Sequence, residues 1–340
     1  MQLRIALQQG LELLRKGQID AAELTAGILL CHALRRERIY LYSHPEHELT
    51  ELEWLHYGRY LHERLQGKPT QYITHVQEFW GRDFRVEPGV LIPRPETEHV
   101  VEQALAVLHA STPTLHKPQH RAANEKSGPL RLKDDRSLRS RLCAGGVVGQ
   151  ASACGGLQPT GSEGNSANPS LQTTPRPRIL DIGTGSGILA VTLALETGAR
   201  ASATDISAKA LAIASTNAAK LGAHCHFTQC DLGSAFADCS FDLVVSNPPY
   251  IESAEIPTLQ REVREWEPHE ALDGGAGGLE IYKRLIPEAA RLLRPGGWLV
   301  LEIGATQGET VQALFDAPWW SSTVMNDLAG LARVIIAQKA

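Results

Sequence analysis

The chain has 340 residues, 43% of them hydrophobic and 21% charged, with a formal net charge of -5. At roughly 150 residues per domain this allows about two globular domains with a sizeable core, and the weak acidity offers no general attraction for nucleic-acid phosphates. The six cysteines, Cys31, Cys143, Cys154, Cys225, Cys230 and Cys239, show neither a Cys-x-x-Cys pair nor zinc-finger spacing, and no run reaches the ~18 apolar residues of a membrane span.

In chain order, Leu3, Leu7, Leu11 and Leu14 recur at helical spacing and predict an amphipathic first helix. Its Arg4 and Glu12 interrupt the apolar core that a signal peptide would need. A reduced, soluble, cytoplasmic chain is therefore expected. Asp20 with Glu23, and Thr50 with Glu53, have the three-residue spacing of reciprocal helix caps, and Gly67 and Pro69 end the last helix. Residues 1–75 thus read as a small helical bundle without chemistry of its own, suited to docking a substrate.

Residues 78–92 are rich in aromatic and β-branched side chains and are broken by Gly81 and Pro88-Gly89, which predicts a β-hairpin. A helix from Glu96 to His109 follows, with Pro95 near its first turn; residues 76–110 form the connecting unit. Residues 111–177 lose all hydrophobic period in favour of Ser, Gly, Pro, Thr and Asn, and are expected to be a disordered insertion with one short helix near 131–141.

From Arg178 onward short apolar runs alternate with helical patterns, the signature of βαβ units and a parallel, doubly wound sheet. Strands are expected at Arg178–Ile182, Ala201–Thr204, Cys225–Gln229, Phe241–Ser246, Trp298–Ile303 and Val334–Ala337. Helices are expected at Ile188–Thr197, Ala208–Leu221 and Glu280–Leu293. A ligand would sit beyond the carboxyl ends of these strands.

The first strand runs into Gly183-Thr184-Gly185-Ser186-Gly187, a turn whose glycines let the backbone approach a ligand. Its third glycine comes one residue early for a dinucleotide turn, and Ile188 holds that place. Asp205 ends the second strand, where a carboxylate can accept from both ribose hydroxyls, and Asp231 ends the third, where one could face an adenine amino group. Asn247-Pro248-Pro249-Tyr250 ends the fourth. The two prolines donate nothing, so the turn presents carbonyl oxygens beside the Asn247 amide oxygen, an array suited to a planar NH2 group on which Tyr250 can stack. Such a site holds a nitrogen nucleophile in line with a methyl donor and needs no strong general base. Arg94 and Glu96 either shape the site wall or cap a helix. No histidine pairs with a nearby Cys or Ser in a nucleophile or metal arrangement, so no metal is expected.

The Gly turn resembles the Asp-x-Gly-x-Gly-x-Gly motif of class I methyltransferases. Further blocks extend the likeness: Gln71-Tyr72-Ile73, Glu78-Phe79-Trp80-Gly81, Leu91-Ile92-Pro93-Arg94-Pro95-Glu96-Thr97-Glu98, Glu267-Pro268, Ala271-Leu272-Asp273-Gly274-Gly275 and Glu302-Ile303-Gly304. Over residues 20–110 and 178–338 the chain is similar to the HemK/PrmC family of glutamine N5-methyltransferases, which modify the Gly-Gly-Gln glutamine of class I peptide chain release factors. The resemblance implies an α/β fold in which a class I methyltransferase sheet, residues 178–340, follows a helical bundle and a hairpin. It implies that Gly183, Thr184, Gly185, Ser186, Gly187, Asp205, Asp231, Leu232 and Asn247 line an S-adenosyl-L-methionine site. Asn247, Pro248, Pro249 and Tyr250 would hold the glutamine, with Arg94 and Glu96 nearby. Two residues depart from the family pattern: His75 replaces a usual glycine, and Leu232 replaces an aromatic residue that covers the adenine in some members. A monomer without stable nucleic-acid binding is expected. The competing readings are an adenine N6-methyltransferase acting on a flipped base of DNA or RNA, and a binding protein that has kept the fold but lost turnover.

Overall fold

The computed structural model describes residues 1–111, 176–316 and 318–340. The expected insertion and its short helix lie outside the described residues. Five helices open the chain: α1 (Leu3–Lys16), α2 (Ala22–Leu34), α3 (Arg38–Ser43), α4 (Glu51–Leu65) and α5 (Thr70–Thr74). The leucine stripe of α1 does what its spacing predicts, since Leu3 and Leu14 join Leu29, Leu30, Tyr57 and Leu61 in one apolar core while Leu7 and Leu11 pack at its edge.

One of the two expected caps forms. Thr50 Oγ1 accepts from the Glu53 amide at 3.3 Å, and Glu53 Oε2 accepts from the Thr50 amide at 2.8 Å. The Asp20 cap does not: α2 starts one residue later than that pairing needs, from Ala21 in a left-handed conformation with no side-chain hydrogen bond. Glu23 then sits in the second helical position rather than the third, out of reach of a reciprocal cap.

The hairpin pairs β1 (Val76–Phe79) with β2 (Arg82–Arg85), turning through Trp80 and Gly81 at φ 54° and 67°, the positive angles that two-residue hairpin turns require. Pairing stops at Arg85, short of the expected residue 92. There the side chain of Asn217 takes over: its Oδ1 accepts from the Arg85 amide at 2.7 Å and its Nδ2 donates to the Arg85 carbonyl at 3.0 Å. A 3-10 turn at Pro95–Thr97 then leads into α6 (Glu98–Ser111).

The second half is β3 (Ile179–Ile182), α7 (Ile188–Thr197), β4 (Ala201–Asp205), α8 (Ala208–Leu221), β5 (Cys225–Gln229), β6 (Phe241–Ser246), α9 (Arg261–Trp266), α10 (Glu280–Leu292), β7 (Leu293–Glu302), α11 (Gly308–Gln312), β8 (Trp320–Asn326) and β9 (Ala332–Lys339). The seven strands form one sheet in the order β5-β4-β3-β6-β7-β9-β8, parallel except for β9, which runs against both its neighbours. Every residue of β3 is buried, as expected for a central parallel strand covered on both faces. The chain winds outward from β3 to β5 and returns to lay β6 on the other side of β3, so a crevice opens between the carboxyl ends of β3 and β6.

Two differences from the expected elements concern the sheet. β7 begins at Leu293, which pairs with Phe241 before Arg294-Pro295-Gly296-Gly297 bulges out and pairing resumes at Trp298. β8 was not expected; it is an edge strand with an alternating, half-exposed pattern. The bundle is tied to the second half by Arg64, whose Nη2 lies 2.6 Å from Glu262 Oε2. No helix among the described residues is long and apolar enough to cross a membrane.

His75 explains its own departure from the family pattern. It caps α5 in the left-handed region, φ 61°, with its side chain exposed, a conformation that glycine enters without strain and that histidine tolerates better than most residues. We expect His75→Gly to stabilise the protein by about 0.5–1 kcal/mol, relief of left-handed strain outweighing the added chain entropy. A lower unfolding midpoint for the variant would show that the imidazole makes a stabilising interaction instead.

Candidate active site at the sheet switch point

The glycine turn hangs from the neighbouring strand: the amides of Gly183 and Thr184 both donate to the Thr204 carbonyl at 2.9 Å. A Cβ built on Gly183 or Gly185 would meet no atom within 4 Å, whereas one on Gly187 would come 3.0 Å from the Ala214 Cβ. The first two glycines therefore leave bare backbone facing open space, and the third lets α7 pack against α8. Thr184 Oγ1 donates to Asp181 Oδ2 at 2.6 Å, and the Ala190 amide donates to the same oxygen at 3.1 Å. Asp181 is 1% exposed, its Oδ1 has no partner, and burial pushes its carboxyl up to about 7.

That open space is a cavity of about 590 Å³, within the ~300–1,000 Å³ typical of small-molecule sites. Its lining includes Gly183, Thr184, Gly185, Ser186, Asp205, Asp231, Leu232, Asn247 and Pro249. Asp205 is held in place by the Gly185 amide on Oδ2 at 2.9 Å and the Ser207 amide on Oδ1 at 2.8 Å, which leaves each carboxylate oxygen capacity for another donor. Asp231 is exposed at the rim and pairs with Arg284. Leu232 adopts φ 50°, a strained angle for a branched residue.

At the tip of β6, Asn247 Nδ2 donates to Thr97 Oγ1 at 3.1 Å. Among the described residues nothing donates to the Asn247 Oδ1 or to the Pro248 carbonyl. Pro248 itself is buried and contributes no lining. Tyr250 is also outside this cavity: it packs on the apolar core around α10 and lines a second cavity of about 380 Å³. Its hydroxyl lies 3.5 Å from Glu302 Oε1. Glu302 is 2% exposed, and burial, helped by the Glu96 charge, pushes its carboxyl up to about 7 against the opposing hydrogen bonds of Thr97 and Tyr250 and the charge of Arg333.

Neither Arg94 nor Glu96 lines the cavity. Arg94 Nη2 pairs with Glu267 Oε1 at 2.5 Å and its Nη1 donates to the Ile92 carbonyl at 2.8 Å, while Glu267 Oε2 accepts from the Ile92 amide at 3.1 Å. Tyr72 adds a hydrogen bond to the Val90 carbonyl. Arg94 thus anchors the wall formed by Gly89, Val90, Leu91 and Pro93. Glu96 is half exposed, 4.0 Å from Arg333. Sequence reasoning assigned no role to Thr97, Glu267 or Glu302; each sits in a quoted block, and only the folded chain shows what it touches.

The residues present fit an adenosine-bearing cofactor, with bare glycine backbone and a preheld carboxylate side by side in the cavity lining. Together with the antiparallel β9 between β7 and β8, this places the chain among the class I methyltransferases, whose cofactor is S-adenosylmethionine. Residues 6–74 match the PrmC N-terminal domain and residues 168–264 the methyltransferase small domain. The chain is 35% identical to the release factor glutamine methyltransferase of Koribacter versatilis across 100% of its own length and 99% of the relative's. It is 36% identical to that of Nitratidesulfovibrio vulgaris, covering 98% and 94%, and 37% identical to that of Chlorobaculum tepidum, covering 93% and 90%. The chain belongs to the release factor glutamine methyltransferase family.

The buried Asp181 carboxyl generates a pH signature. In the native state it keeps its proton up to about 7, and in the unfolded chain it loses it near the ordinary 3.8 of an aspartate, so between those values the folded state binds more protons and stability falls as pH rises, by on the order of 1.4 kcal/mol per unit. Asp181→Asn cannot ionise. Calorimetry without added cofactor should show wild type losing stability relative to this variant between pH 4 and 7, and parallel curves for the two proteins would remove the buried charge from the account.

Proposed function

We propose that this chain transfers a methyl group from S-adenosylmethionine to the side-chain nitrogen of the glutamine in the Gly-Gly-Gln motif of class I peptide chain release factors, with Asn247 as the catalytic residue. The observation that carries the reading is the orientation of Asn247. Its NH2 end is occupied by Thr97 and its oxygen is left without a protein partner at the cavity wall. A glutamine NH2 has two protons to place. The Asn247 oxygen and the Pro248 carbonyl, both lacking protein donors among the described residues, are the two acceptors that would take them.

Bound S-adenosylmethionine supplies a methyl group made electrophilic by its sulfonium. Gly183, Thr184, Gly185 and Ser186 cradle that cofactor, Asp205 accepts from its ribose hydroxyls, and Asp231 and Leu232 border its base. Asn247 and Pro248 hold the amide so that its nitrogen lone pair points at the methyl, and positioning supplies most of the rate. The N–C bond would form as the sulfonium C–S bond breaks to leave a neutral thioether, and the proton shed late by the nitrogen would pass to water, so no strong base is needed. Pro249 walls the substrate side, and Tyr250, outside this cavity beside Glu302, backs the turn rather than the amide. Arg94 acts on the wall rather than on the substrate, and Glu96 stands back from both. The helical module at residues 1–75 docks the release factor, with exposed Ile39, Tyr42, Leu52 and Leu55 as apolar contacts. The setting is the cytoplasm, and the working unit a monomer that holds no nucleic acid stably.

Purified protein with methyl-labelled cofactor should label a release factor, and changing the motif glutamine should abolish the label. Equal labelling of DNA in place of the release factor would favour the adenine methyltransferase reading. Asn247→Ala should lower kcat by about 10²–10³, the loss typical of one transition-state hydrogen-bonding group, with cofactor affinity nearly unchanged. Matching losses in turnover and cofactor affinity would make Asn247 a cofactor ligand only.

A further inference from the structure

The amide of Asn247 has two ends of similar shape and opposite hydrogen-bonding character, and only one orientation serves the reaction. With its oxygen toward the cavity it accepts from the substrate NH2. Reversed, it would set one NH2 against another, with no hydrogen bond to either and the substrate nitrogen unheld. Nothing in the shape of the side chain chooses between these states; the choice falls to whatever touches the far end.

That far end meets Thr97, which comes from the 3-10 turn before α6 and is fully buried, 150 residues away in sequence. A hydroxyl has a single proton. Here the proton has a claimant in the Glu302 carboxyl at the end of β7, which the nearby Thr97 hydroxyl holds down as a donor. Glu302 Oε2 is wholly buried and, among the described residues, accepts no hydrogen bond, so it calls for a donor, while its Oε1 faces the Tyr250 hydroxyl at 3.5 Å. A buried carboxylate oxygen is a stronger acceptor than an amide oxygen. With its proton directed to Glu302, Thr97 can only accept from Asn247, and the amide must offer its N–H.

We infer that Thr97, backed by the Glu302 carboxylate, is a positioning residue that sets which end of the Asn247 amide faces the substrate. This rests on the assignment of Asn247 as the acceptor for the substrate NH2. The line of influence runs from Glu302 to Thr97 and through the Thr97–Asn247 bond to the reacting nitrogen. Ionised Glu302 sustains it. A protonated Glu302 can itself donate to Thr97, which frees the Thr97 proton for the Asn247 oxygen and reverses the amide. The groups that face Glu302, and so bias its ionisation, are Glu96 from the turn before α6, Tyr250 after β6, Tyr282 on α10 and Arg333 on β9.

The test compares Thr97→Val, which keeps the shape but has no hydroxyl, with Thr97→Ser, which keeps the hydroxyl. Thr97→Val should lower kcat by about tenfold or more, short of the ~10²–10³ expected for losing Asn247 itself, with KM for the release factor and Kd for the cofactor within about threefold of wild type. Thr97→Ser should restore turnover to within about threefold of wild type. Glu302→Met, of similar length and without an acceptor, supplies a second route: as a folded protein, verified by its unfolding transition, it should show the same loss confined to kcat. Wild-type turnover should decline as pH drops below about 7, and Thr97→Val should lack that decline. The inference is overturned if Thr97→Val retains wild-type turnover or the acid decline, if Thr97→Ser is as impaired as Thr97→Val, if Glu302→Met turns over normally, or if the losses lie in binding. Asn247→Ala assayed alongside separates the two ideas. Normal turnover in that variant sinks the acceptor assignment itself, whereas its loss beside a normal Thr97→Val sinks only the positioning role.

Discussion

The parallel register of β3 between β4 and β6 is the constraint from which the site follows. Because β3 pairs with β4 through Ile182 and Thr204, the turn after β3 can hang two amides on the Thr204 carbonyl. Because β6 lies on the other side, Ser246 Oγ can reach the Ile182 carbonyl at 2.7 Å and fix where the next residue, Asn247, begins. The glycine backbone, Asp205 and Asn247 belong to three different strand ends, and only this order brings them to one cavity. The walls are then added by segments that are not part of the sheet, and these need pins of their own. Tyr72 on Val90, and Arg94 with Glu267 on Ile92, hold the segment before α6 against the opening.

Two buried carboxyls stand close to the chemistry, and their roles differ. Asp181 sits beneath the glycine turn, where Thr184 and the Ala190 amide stabilise it locally. Its burial raises its carboxyl by more than those bonds lower it, so it costs stability at neutral pH, a cost often met at functional sites. Glu302 lies behind the Asn-Pro-Pro-Tyr turn, in contact with Thr97 and Tyr250 rather than with the cavity.

What could be read in the sequence divides along the range of the interaction. Local signals worked: the α1 leucine stripe, the Thr50 cap, the limits of α7, α8, β5 and β6, and the glycine turn itself each depend on residues within a few positions of one another. The Asp20 cap failed because a one-residue shift in the start of α2 is decided by how the helix packs, which spacing alone does not contain. β8 escaped because an edge strand paired on one side needs no continuous apolar run. At the end of the shortened hairpin, Asn217, 132 residues later, bonds the outward amide and carbonyl of Arg85, a long-range contact that local spacing does not contain.

The candidate site shows the same division. Gly183, Gly185, Asp205 and Asn247 were legible because a strand end followed by a special residue is a local pattern with a chemical meaning. Arg94 and Glu96 were ambiguous in sequence because both readings fit the same six residues. The structure separates them by partner, Arg94 being bound to a glutamate 173 residues away and Glu96 left near the surface. Thr97, the residue between them and α6, sat in a quoted block without a role: a threonine near a helix start is ordinary, and its meaning comes from the amide and the carboxyl that the sheet delivers to it. The short segment that supplies the cavity wall through Leu91 and Pro93 therefore also supplies, a few residues later, the hydroxyl that meets the Asn247 amide. A displacement of this segment would disturb the cavity wall and the contact with Asn247 together, and the Arg94–Glu267 pair, with its carboxylate buried and its guanidinium a third exposed, holds the segment against it.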